Sequence, residues 1–196
     1  MDNNSQTFRV EFLSGQKVYL RPIESDDFPL FYKWANDPET RGLTGEIRSS
    51  SYATTQEFYD KVQEETDRVW LALVLRENHQ VIGETGLLRM FPAWRTTDWS
   101  LIIGEKAARG KGYGTEAAWL MLNYAFGHQN FHRVGVGVVG FNTGALQFYE
   151  RLGFRREGIQ QDGYYYDHRY HDFVMMRMLE HEFREKWKEK NIKAVE

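Results

Sequence analysis

The sequence contains no cysteine. This absence excludes disulfide bonds, a thiolate nucleophile and any zinc site built on cysteine. Long hydrophobic runs are also missing, because the longest uninterrupted apolar stretch, VWLALVL at Val69–Leu75, is far too short to cross a bilayer. The first residues, MDNNSQTFRV, lack the apolar core of a signal peptide. We therefore expect a cytoplasmic protein without membrane association.

An excess of basic residues is absent as well. The 25 Lys and Arg residues are outnumbered by 28 Asp and Glu residues, which gives a formal net charge of -3. A general nucleic-acid binder usually carries a basic stripe, so we expect no nucleic-acid partner. The six histidines are scattered without metal-ligand spacing, and we expect no metal site.

Apolar periodicity predicts alternating strands and helices and no internal boundary. We expect strands at 17–23, 68–75, 80–90, 96–105 and 133–141, then two or three more strands before residue 180. The first predicted helix has Ser25 as its N-cap. A loop over 38–51 follows, and Thr54 or Thr55 caps the second helix. The third helix follows the glycine-rich stretch, with its apolar pattern from Ala117, and Asn142 or Thr143 caps the fourth. The prediction is an α+β fold with a mixed sheet in a single domain, residues 1–196, with a core at about 17–180 and a C-terminal helix at 180–190.

A glycine-rich segment precedes the third of these helices. Gly110, Gly112 and Gly114 alternate with Arg109 and Lys111 in RGKGYG. The spacing matches neither the nucleoside-triphosphate loop nor the dinucleotide fingerprint, whose third glycine would fall at Thr115. Exposed backbone amides at a helix N-terminus favour a phosphate or pyrophosphate site. The alternative is that these glycines only turn the chain.

In its context, RGKGYG resembles the Arg/Gln-x-x-Gly-x-Gly signature of the GCN5-related N-acetyltransferases (GNAT). A strand ending in WSLII precedes it, and NTGALQFYERLGF resembles the second motif of that family. The resemblance covers residues 18–179 and is greatest to the branch of ribosomal-protein and polyamine acetyltransferases. It implies a mostly antiparallel twisted sheet, splayed between the fourth and fifth strands and flanked by helices. It also implies an enzyme that transfers the acetyl group of acetyl-CoA to a primary amine by direct attack in a ternary complex, without a metal.

The resemblance assigns roles to particular residues. The backbone of Ile102 and Ile103 would pair with the pantetheine amides, and Asn142 would bond the pantetheine chain. Tyr149 would protonate the departing thiolate, although its helical spacing equally fits a core tyrosine. The pyrophosphate would be held by a run of seven residues: Arg109, Gly110, Lys111, Gly112, Tyr113, Gly114 and Thr115.

A carboxylate, directly or through water, could take the proton of the amine. Asp98 is the first candidate for this base, and Glu84 on the neighbouring strand is the second. The alternative for both is an ordinary carboxylate in a solvated ion pair. An ordered water is a third possibility for the proton acceptor.

The acceptor amine stays open among a polyamine, an amino acid, an antibiotic and a protein N-terminus, as on a ribosomal protein. Acidic residues in the two segments that set specificity in this family (Glu39, Glu46, Asp162, Asp167) are interspersed with arginines (Arg41, Arg48, Arg169), so no acidic trap is evident. The aromatic cluster Tyr164, Tyr165, Tyr166 and Tyr170 could line an amine pocket through cation–π contacts or bury against a neighbouring strand or subunit.

The turn beside this cluster has His168 where the branch has glycine, so a non-glycine residue with positive φ is expected there. From the branch resemblance and the aromatic surplus we expect a homodimer. The rival to the enzyme is a coenzyme A binding module without catalysis.

Overall fold

A computed structural model describes residues 10–45 and 48–189. Within these residues, eight strands form one sheet: β1 (Leu13–Ser14), β2 (Val18–Pro22), β3 (Val69–Leu75), β4 (Val81–Phe91), β5 (Thr96–Ile102), β6 (Arg133–Val139), β7 (Arg155–Tyr166) and β8 (Arg169–Leu179). The α-helices are α1 (Phe28–Ala35), α2 (Pro38–Thr44), α3 (Tyr52–Glu64), α4 (Tyr113–Asn123), α5 (Thr143–Leu152) and α6 (Glu180–Glu189).

The strands lie in the order β1-β2-β3-β4-β5-β6-β8-β7. Every neighbouring pair is antiparallel except β5 and β6, which are parallel. The predicted α+β fold with a mixed, mostly antiparallel sheet is confirmed. The short edge strand β1, in which Leu13 pairs with Leu20, was not predicted from the sequence. It shifts the numbering by one, so the strands expected as fourth and fifth are β5 and β6.

The two parallel strands separate soon after they meet. Only Thr96, Thr97 and Asp98 of β5 are paired with β6, opposite residues 133–135. Beyond this point β5 continues its ladder with β4 up to Ile102, while β6 continues its ladder with β8 up to Val139. The expected splay is therefore confirmed, and it opens a gap inside the sheet rather than at its edge.

Helices cover both faces of the sheet. One face carries α4, α5 and α6, and its core includes Leu73, Trp99 and Met121. The other face carries α1 and α3, and its core includes Ala72 and Val74. Neighbouring residues of β3 thus enter different cores, which explains why that strand is apolar without alternation.

The segment predicted as a loop over 38–51 contains a helix instead. Asp37 caps α2 by accepting a hydrogen bond from the Thr40 N–H at 2.9 Å, and Pro38 occupies the first turn. Gly45, with a φ of 85°, ends the helix in the left-handed conformation. The prediction was wrong because the start and stop signals are only seven residues apart. Propensity over so short a span is a weak guide.

Two helix starts also differ from their predicted positions. Ser51, rather than Thr54 or Thr55, caps α3 and accepts the Thr54 N–H. Residues Ser25–Asp27 form a 3₁₀ turn, so Ser25 is not the cap, and α1 begins at Phe28. At α5, by contrast, the prediction is confirmed, because the side chain of Asn142 accepts the Ala145 N–H.

The C-terminal part forms a long hairpin of β7 and β8 followed by α6. At its tip, Asp167 and His168 have φ values of 50° and 61°, so the expected positive φ at the non-glycine turn residue is confirmed. Two successive residues of this kind are typical of the tight turn that matches the twist of a hairpin. The last residue of the predicted C-terminal helix, residue 190, lies outside the described residues.

We expect Gly104→Ala to destabilise the fold. A Cβ atom at this position, just beyond β5, would lie 2.0 Å from the indole of Trp34, which is only 3 % exposed and cannot move aside. Overpacking of this kind costs about 1–3 kcal/mol of unfolding free energy. Gly158→Ala in β7 is the matched control, because nothing lies within 4 Å of the added methyl group. Urea denaturation of both variants tests this, and equal stabilities would contradict it.

Candidate active site

A cavity of about 400 Å³ lies where β5 and β6 separate. Its walls come from the end of β5, from the facing part of β6, from α2 and from α5. The residues that line it are Thr40, Leu43, Thr44, Trp99, Ser100, Leu101, Ile102, Ile103, Arg109, Gly137, Val138, Val139, Asn142, Ala145, Tyr149 and Phe173. Five residues proposed from the sequence as pantetheine, pyrophosphate or acid residues are therefore brought together here: Ile102, Ile103, Arg109, Asn142 and Tyr149.

The glycine loop, residues 109–115, leads from the cavity into α4. Gly110 and Gly112 have φ values of 75° and 86°, and Gly112 is the N-cap residue of the helix. The space beside Gly110 is open, since nothing lies within 4 Å of an added Cβ atom. Gly114 differs, because its Cβ atom would lie 3.1 Å from Ile103. Two glycines thus turn the chain and keep the loop amides uncovered, while the third allows the helix to pack on β5.

Arg109 is bound within the protein rather than extended from the glycine loop. Its Nε donates to the Ile103 carbonyl oxygen at 2.9 Å, and its Nη1 donates to Glu39 of α2 at 2.7 Å. Lys106 forms ion pairs with Asp37 at 3.0 Å and with Glu39 at 2.9 Å. The hydrogen bond from Thr40 N–H and then the bond from Lys106 lower the pKa of Asp37 to about 2. These pairs fasten α2 beside the cavity.

A second anchor fixes the start of α4. The carboxylate of Glu116, in the first turn of the helix, accepts the backbone N–H groups of Gln16, Lys17 and Val18. These three residues form the turn between β1 and β2 and the beginning of β2. As a result the ammonium of Lys17 lies beside Gly112, at 3.9 Å from the position of its added Cβ atom.

Tyr149 lies on α5 with its ring in an aromatic cluster. Its ring contacts Trp99 edge-on at 5.6 Å, Phe154 at 5.5 Å and Phe148 at 5.3 Å between centroids. Burial raises the pKa of the Tyr149 phenol, so the group stays protonated at neutral pH. Among the described residues the hydroxyl has no hydrogen-bond partner. The ring therefore packs as a core tyrosine, and the role of the hydroxyl as an acid stays a prediction.

Glu84 is buried on the other face of the sheet and does not line the cavity. It accepts hydrogen bonds from the Tyr59 hydroxyl at 2.5 Å and from the Trp70 indole N–H at 2.7 Å. Burial raises the pKa of Glu84, and the two hydrogen bonds oppose that rise. Its Cα position is paired with Ile102 of β5, so the carboxylate lies behind the strand that borders the cavity.

Asp98 is also outside the cavity lining, at the point where the gap begins. It forms an ion pair with Arg89 at 2.7 Å, and its side chain is 36 % exposed. Its Oδ1 occupies the space beside Gly135 of β6, since an added Cβ atom there would approach it to 2.3 Å. The last paired residues of β5 and β6 are thus Asp98 and Gly135.

The aromatic cluster of the C-terminal hairpin divides into two pairs. Tyr166 stacks on Phe141 and Tyr164 contacts the same ring at a tilt, and the Tyr164 hydroxyl donates to the Gly42 carbonyl oxygen of α2 at 3.2 Å. Tyr165 and Tyr170 contact each other at 5.0 Å and are 54 % and 65 % exposed. The first pair therefore fastens the hairpin to the cavity wall, while the second pair faces solvent.

Several residues around the cavity were not predicted from the sequence. Thr40, Leu43 and Thr44 belong to α2, which was expected to be a loop. Phe173 of β8 places its ring where Gly137 leaves space, at 2.4 Å from an added Cβ atom. The Pro after Asp37 and the Gly at 45 were the available signals for α2, whereas no local pattern indicates that Phe173 crosses to Gly137.

Acidic residues near the cavity are largely neutralised. Glu39 is bound by Arg109 and Lys106, and Glu46 lies outside the described residues. No group of three or more His, Asp or Glu side chains that could hold a metal ion is found in residues 10–45 and 48–189. In the same part of the chain, no helix is long and apolar enough to cross a membrane.

Known proteins share this fold and sequence pattern. The acetyltransferase (GNAT) domain matches residues 17–155. A probable N-acetyltransferase, YjcK, of Bacillus subtilis is 28 % identical over 163 residues, covering 75 % of this chain and 85 % of the relative. The spermidine N(1)-acetyltransferase of Escherichia coli is 24 % identical over 171 residues, covering 87 % of this chain and 90 % of the relative. The crystal structure of a Vibrio cholerae spermidine N-acetyltransferase with CoA and spermine has a TM-score of 0.81 at 23 % identity, covering 86 % of this chain and 98 % of that one.

The chain therefore belongs to the GNAT acetyltransferase family. The prediction of an N-acetyltransferase that uses acetyl-CoA and an amine acceptor is confirmed. The geometry fits that cosubstrate, because the gap between β5 and β6 leads directly to uncovered amides of the glycine loop at the N-terminus of α4.

We expect Gly112→Asp to abolish binding of acetyl-CoA. The variant forces a side chain into a backbone position with a φ of 86° and adds a negative charge beside the amides that would hold a pyrophosphate. Isothermal titration with CoA measures the loss. Gly158→Asp, in the exposed strand β7, is the control that adds the same charge at a distance from the loop. Unchanged affinity of the Gly112 variant would show that the loop does not bind the pyrophosphate.

Proposed function

We propose that the cavity between β5 and β6 is where a primary amine attacks the thioester of acetyl-CoA directly, within a ternary complex. The observation that supports this most strongly is the position of Tyr149, a largely buried residue that lines the same cavity as Ile102 and Asn142. Direct transfer needs no covalent enzyme intermediate, which agrees with the lack of a cysteine nucleophile.

The backbone of Ile102 and Ile103 and the side chain of Asn142 would hold the pantetheine arm. Beyond Asp98 the edge of β5 that faces the gap makes no ladder with β6, so its N–H and C=O groups need other partners. The side-chain oxygen of Asn142 already accepts the Ala145 N–H, which leaves the side-chain NH₂ group of Asn142 as the donor to a ligand. The amides of residues 109–115 would bind the pyrophosphate.

Tyr149 would act as the general acid. Because burial raises its pKa, the phenol keeps its proton until a stronger base than water develops beside it. The thiolate that leaves when the amine attacks is such a base. The proton would pass from the Tyr149 hydroxyl to that sulfur as the carbon–sulfur bond breaks.

For removal of the amine proton we propose Asp98, with Glu84 as the second candidate. Neither carboxylate lines the cavity, so the proton would reach either of them only through water. Asp98 is partly exposed and lies where the gap opens, and therefore has access to such water. Glu84 is buried and accepts hydrogen bonds from Tyr59 and Trp70. This environment favours a carboxyl group that keeps its proton over one that exchanges protons with water.

We propose a primary amine as the acceptor. An assay with polyamines, amino acids, aminoglycosides and peptides with free N-termini would identify which kind of amine is acetylated. Two relatives named above are spermidine acetyltransferases. Within the described residues, however, no carboxylate lines the cavity, and Glu39 is already bound to two cations. Because no acidic side chain among the described residues of the cavity is available to attract a polyamine, we favour a protein N-terminus, as on a ribosomal protein, as the acceptor.

We expect Tyr149→Phe to lower kcat by about 100-fold, the usual share of a general acid, with little change in affinity for acetyl-CoA. The ring contacts with Trp99 and Phe154 are kept in phenylalanine, so the fold should be unaffected. Thiol release from acetyl-CoA with each amine measures the effect, and the cysteine-free chain adds no thiol background.

Tyr124→Phe is the matched control, because Tyr124 is equally buried at 8 % exposure but lies outside the cavity lining. Equal activity of the two variants would contradict the role of Tyr149 as acid. Tight CoA binding without thiol release for any amine would favour the rival reading, a coenzyme A binding module without catalysis.

We expect Asp98→Asn to lower kcat/KM by about 10-fold or more and Glu84→Gln to leave it unchanged. Unchanged kcat/KM in the Asp98 variant would exclude Asp98 as the base and leave the proton to water. A selective loss in the Glu84 variant would move the role to Glu84.

The Glu84 variant also has a stability readout. The pKa of Glu84 is raised in the folded state, whereas a glutamate in the unfolded chain has a pKa of roughly 4.3. At pH values just above that, the folded chain keeps the carboxyl proton of Glu84 and the unfolded chain has lost it. This carboxyl group therefore makes the protein less stable as the pH rises through that window. Glutamine keeps an oxygen that accepts from Tyr59 and Trp70 but cannot ionise, so Glu84→Gln should be more stable than the parent at neutral pH.

We also propose that the chain works as a homodimer in the cytoplasm, where acetyl-CoA is available to it. Ile159, Tyr165 and Tyr170 on the hairpin are exposed, and the outer edge of β7 pairs with no other strand in the part of the chain that the structure describes; both features support a surface for a second copy. Light scattering at micromolar concentration should give the mass of two chains. A monomer mass would overturn this proposal without affecting the catalytic one.

A further inference from the structure

In the part of the chain that the structure describes, only one of the two cations in RGKGYG is free to act at the glycine loop: Lys111 lies in the loop and is exposed, whereas the arginine is bound elsewhere in the protein. In RGKGYG the arginine nearest the loop is Arg109, yet its guanidinium donates to Ile103 and forms an ion pair with Glu39. Lys106, on the preceding turn, is bound to Asp37 and Glu39. The carboxylates of α2 therefore oppose the charge of both cations.

Lys17 lies at the same loop but comes from the start of β2, about 95 residues earlier in the chain than Gly112. Its Nζ atom lies 3.9 Å from the position that a Cβ atom of Gly112 would occupy. The side chain is exposed, and within the described residues it has no carboxylate at ion-pair distance. Its charge is thus available where the loop amides are uncovered.

The backbone at Lys17 is held in place relative to α4. The Lys17 N–H donates to Glu116 at 2.9 Å and the Val18 N–H donates to the same carboxylate oxygen at 3.1 Å. Because three backbone donors occupy this carboxylate, it serves to join the β1–β2 turn to the helix. The Lys17 side chain therefore starts from a fixed point next to the helix N-terminus.

We propose that Lys17 is a binding residue for the pyrophosphate of acetyl-CoA. This inference rests on the proposed use of the glycine loop. A lysine ammonium is a compact point charge with three donors, and it adds to the attraction that uncovered amides at a helix N-terminus exert on an anion. Lys17 supplies this charge in place of Arg109, whose ion pair with Glu39 fastens α2 to the cavity.

The test is the affinity of the whole chain for CoA, measured by isothermal titration without turnover. We expect Lys17→Ala to weaken binding by about 10-fold or more, as for the loss of a charge-assisted hydrogen bond. Lys17→Arg should restore most of the affinity. Lys188→Ala, an equally exposed lysine on α6, removes the same charge elsewhere and should bind as the parent does.

A second ligand separates the two phosphate groups of the cosubstrate. With 3′-dephospho-CoA, which keeps the pyrophosphate, Lys17→Ala should lose affinity by the same factor as with CoA. A loss seen with CoA alone would place Lys17 at the 3′-phosphate and overturn the proposal. Equal affinities of the Lys17→Ala and Lys188→Ala variants would overturn it as well. If the parent chain itself bound neither ligand, the proposed function would be refuted. That outcome differs from failure of the Lys17 proposal, in which the parent chain still binds CoA.

Discussion

The end of the ladder between β5 and β6 is the constraint on which the rest of the structure depends. Beyond the end of this ladder each of the two strands stays paired on its other side, β5 with β4 and β6 with β8. The sheet therefore remains continuous while two strand edges inside it face a gap. Backbone groups cannot remain buried without partners, so such a gap is stable only when water or a ligand fills it. This requirement makes the gap a site for an extended chain with its own amides.

The surroundings of the gap are held by contacts that join distant parts of the sequence. Glu39 and Asp37 connect α2 to the turn before the glycine loop, and Tyr164 connects the other end of α2 to the C-terminal hairpin. Glu116 connects the helix start to β2. The short helix α2 is too small to be stable alone. Its position as a cavity wall therefore depends on these side-chain bonds at both ends.

Periodicity and capping signals were sufficient for most individual strands and for the helix that follows Asn142, because alternation of apolar residues and N-capping are patterns of residues near in sequence. The glycine loop was also predicted correctly as a turn with exposed amides, since a φ above zero restricts the residue type locally. The partners of Arg109 and the place of Lys17 could not be predicted. They depend on which segments the folded sheet brings to the start of α4, and no pattern within a short window carries that information.

The same distinction applies to the two carboxylates. Asp98 lies on β5 at the gap and Glu84 lies on the neighbouring strand β4, and their sequence positions alone cannot tell on which face of the sheet each side chain lies. In the structure Glu84 points into the core beside Tyr59, whereas Asp98 stays partly exposed with Arg89. A carboxylate buried in an apolar core resists ionisation, which applies to Glu84. With the cavity itself free of carboxylates among its described lining residues, selection among amines would depend on the shape set by α2 and Phe173 more than on charge.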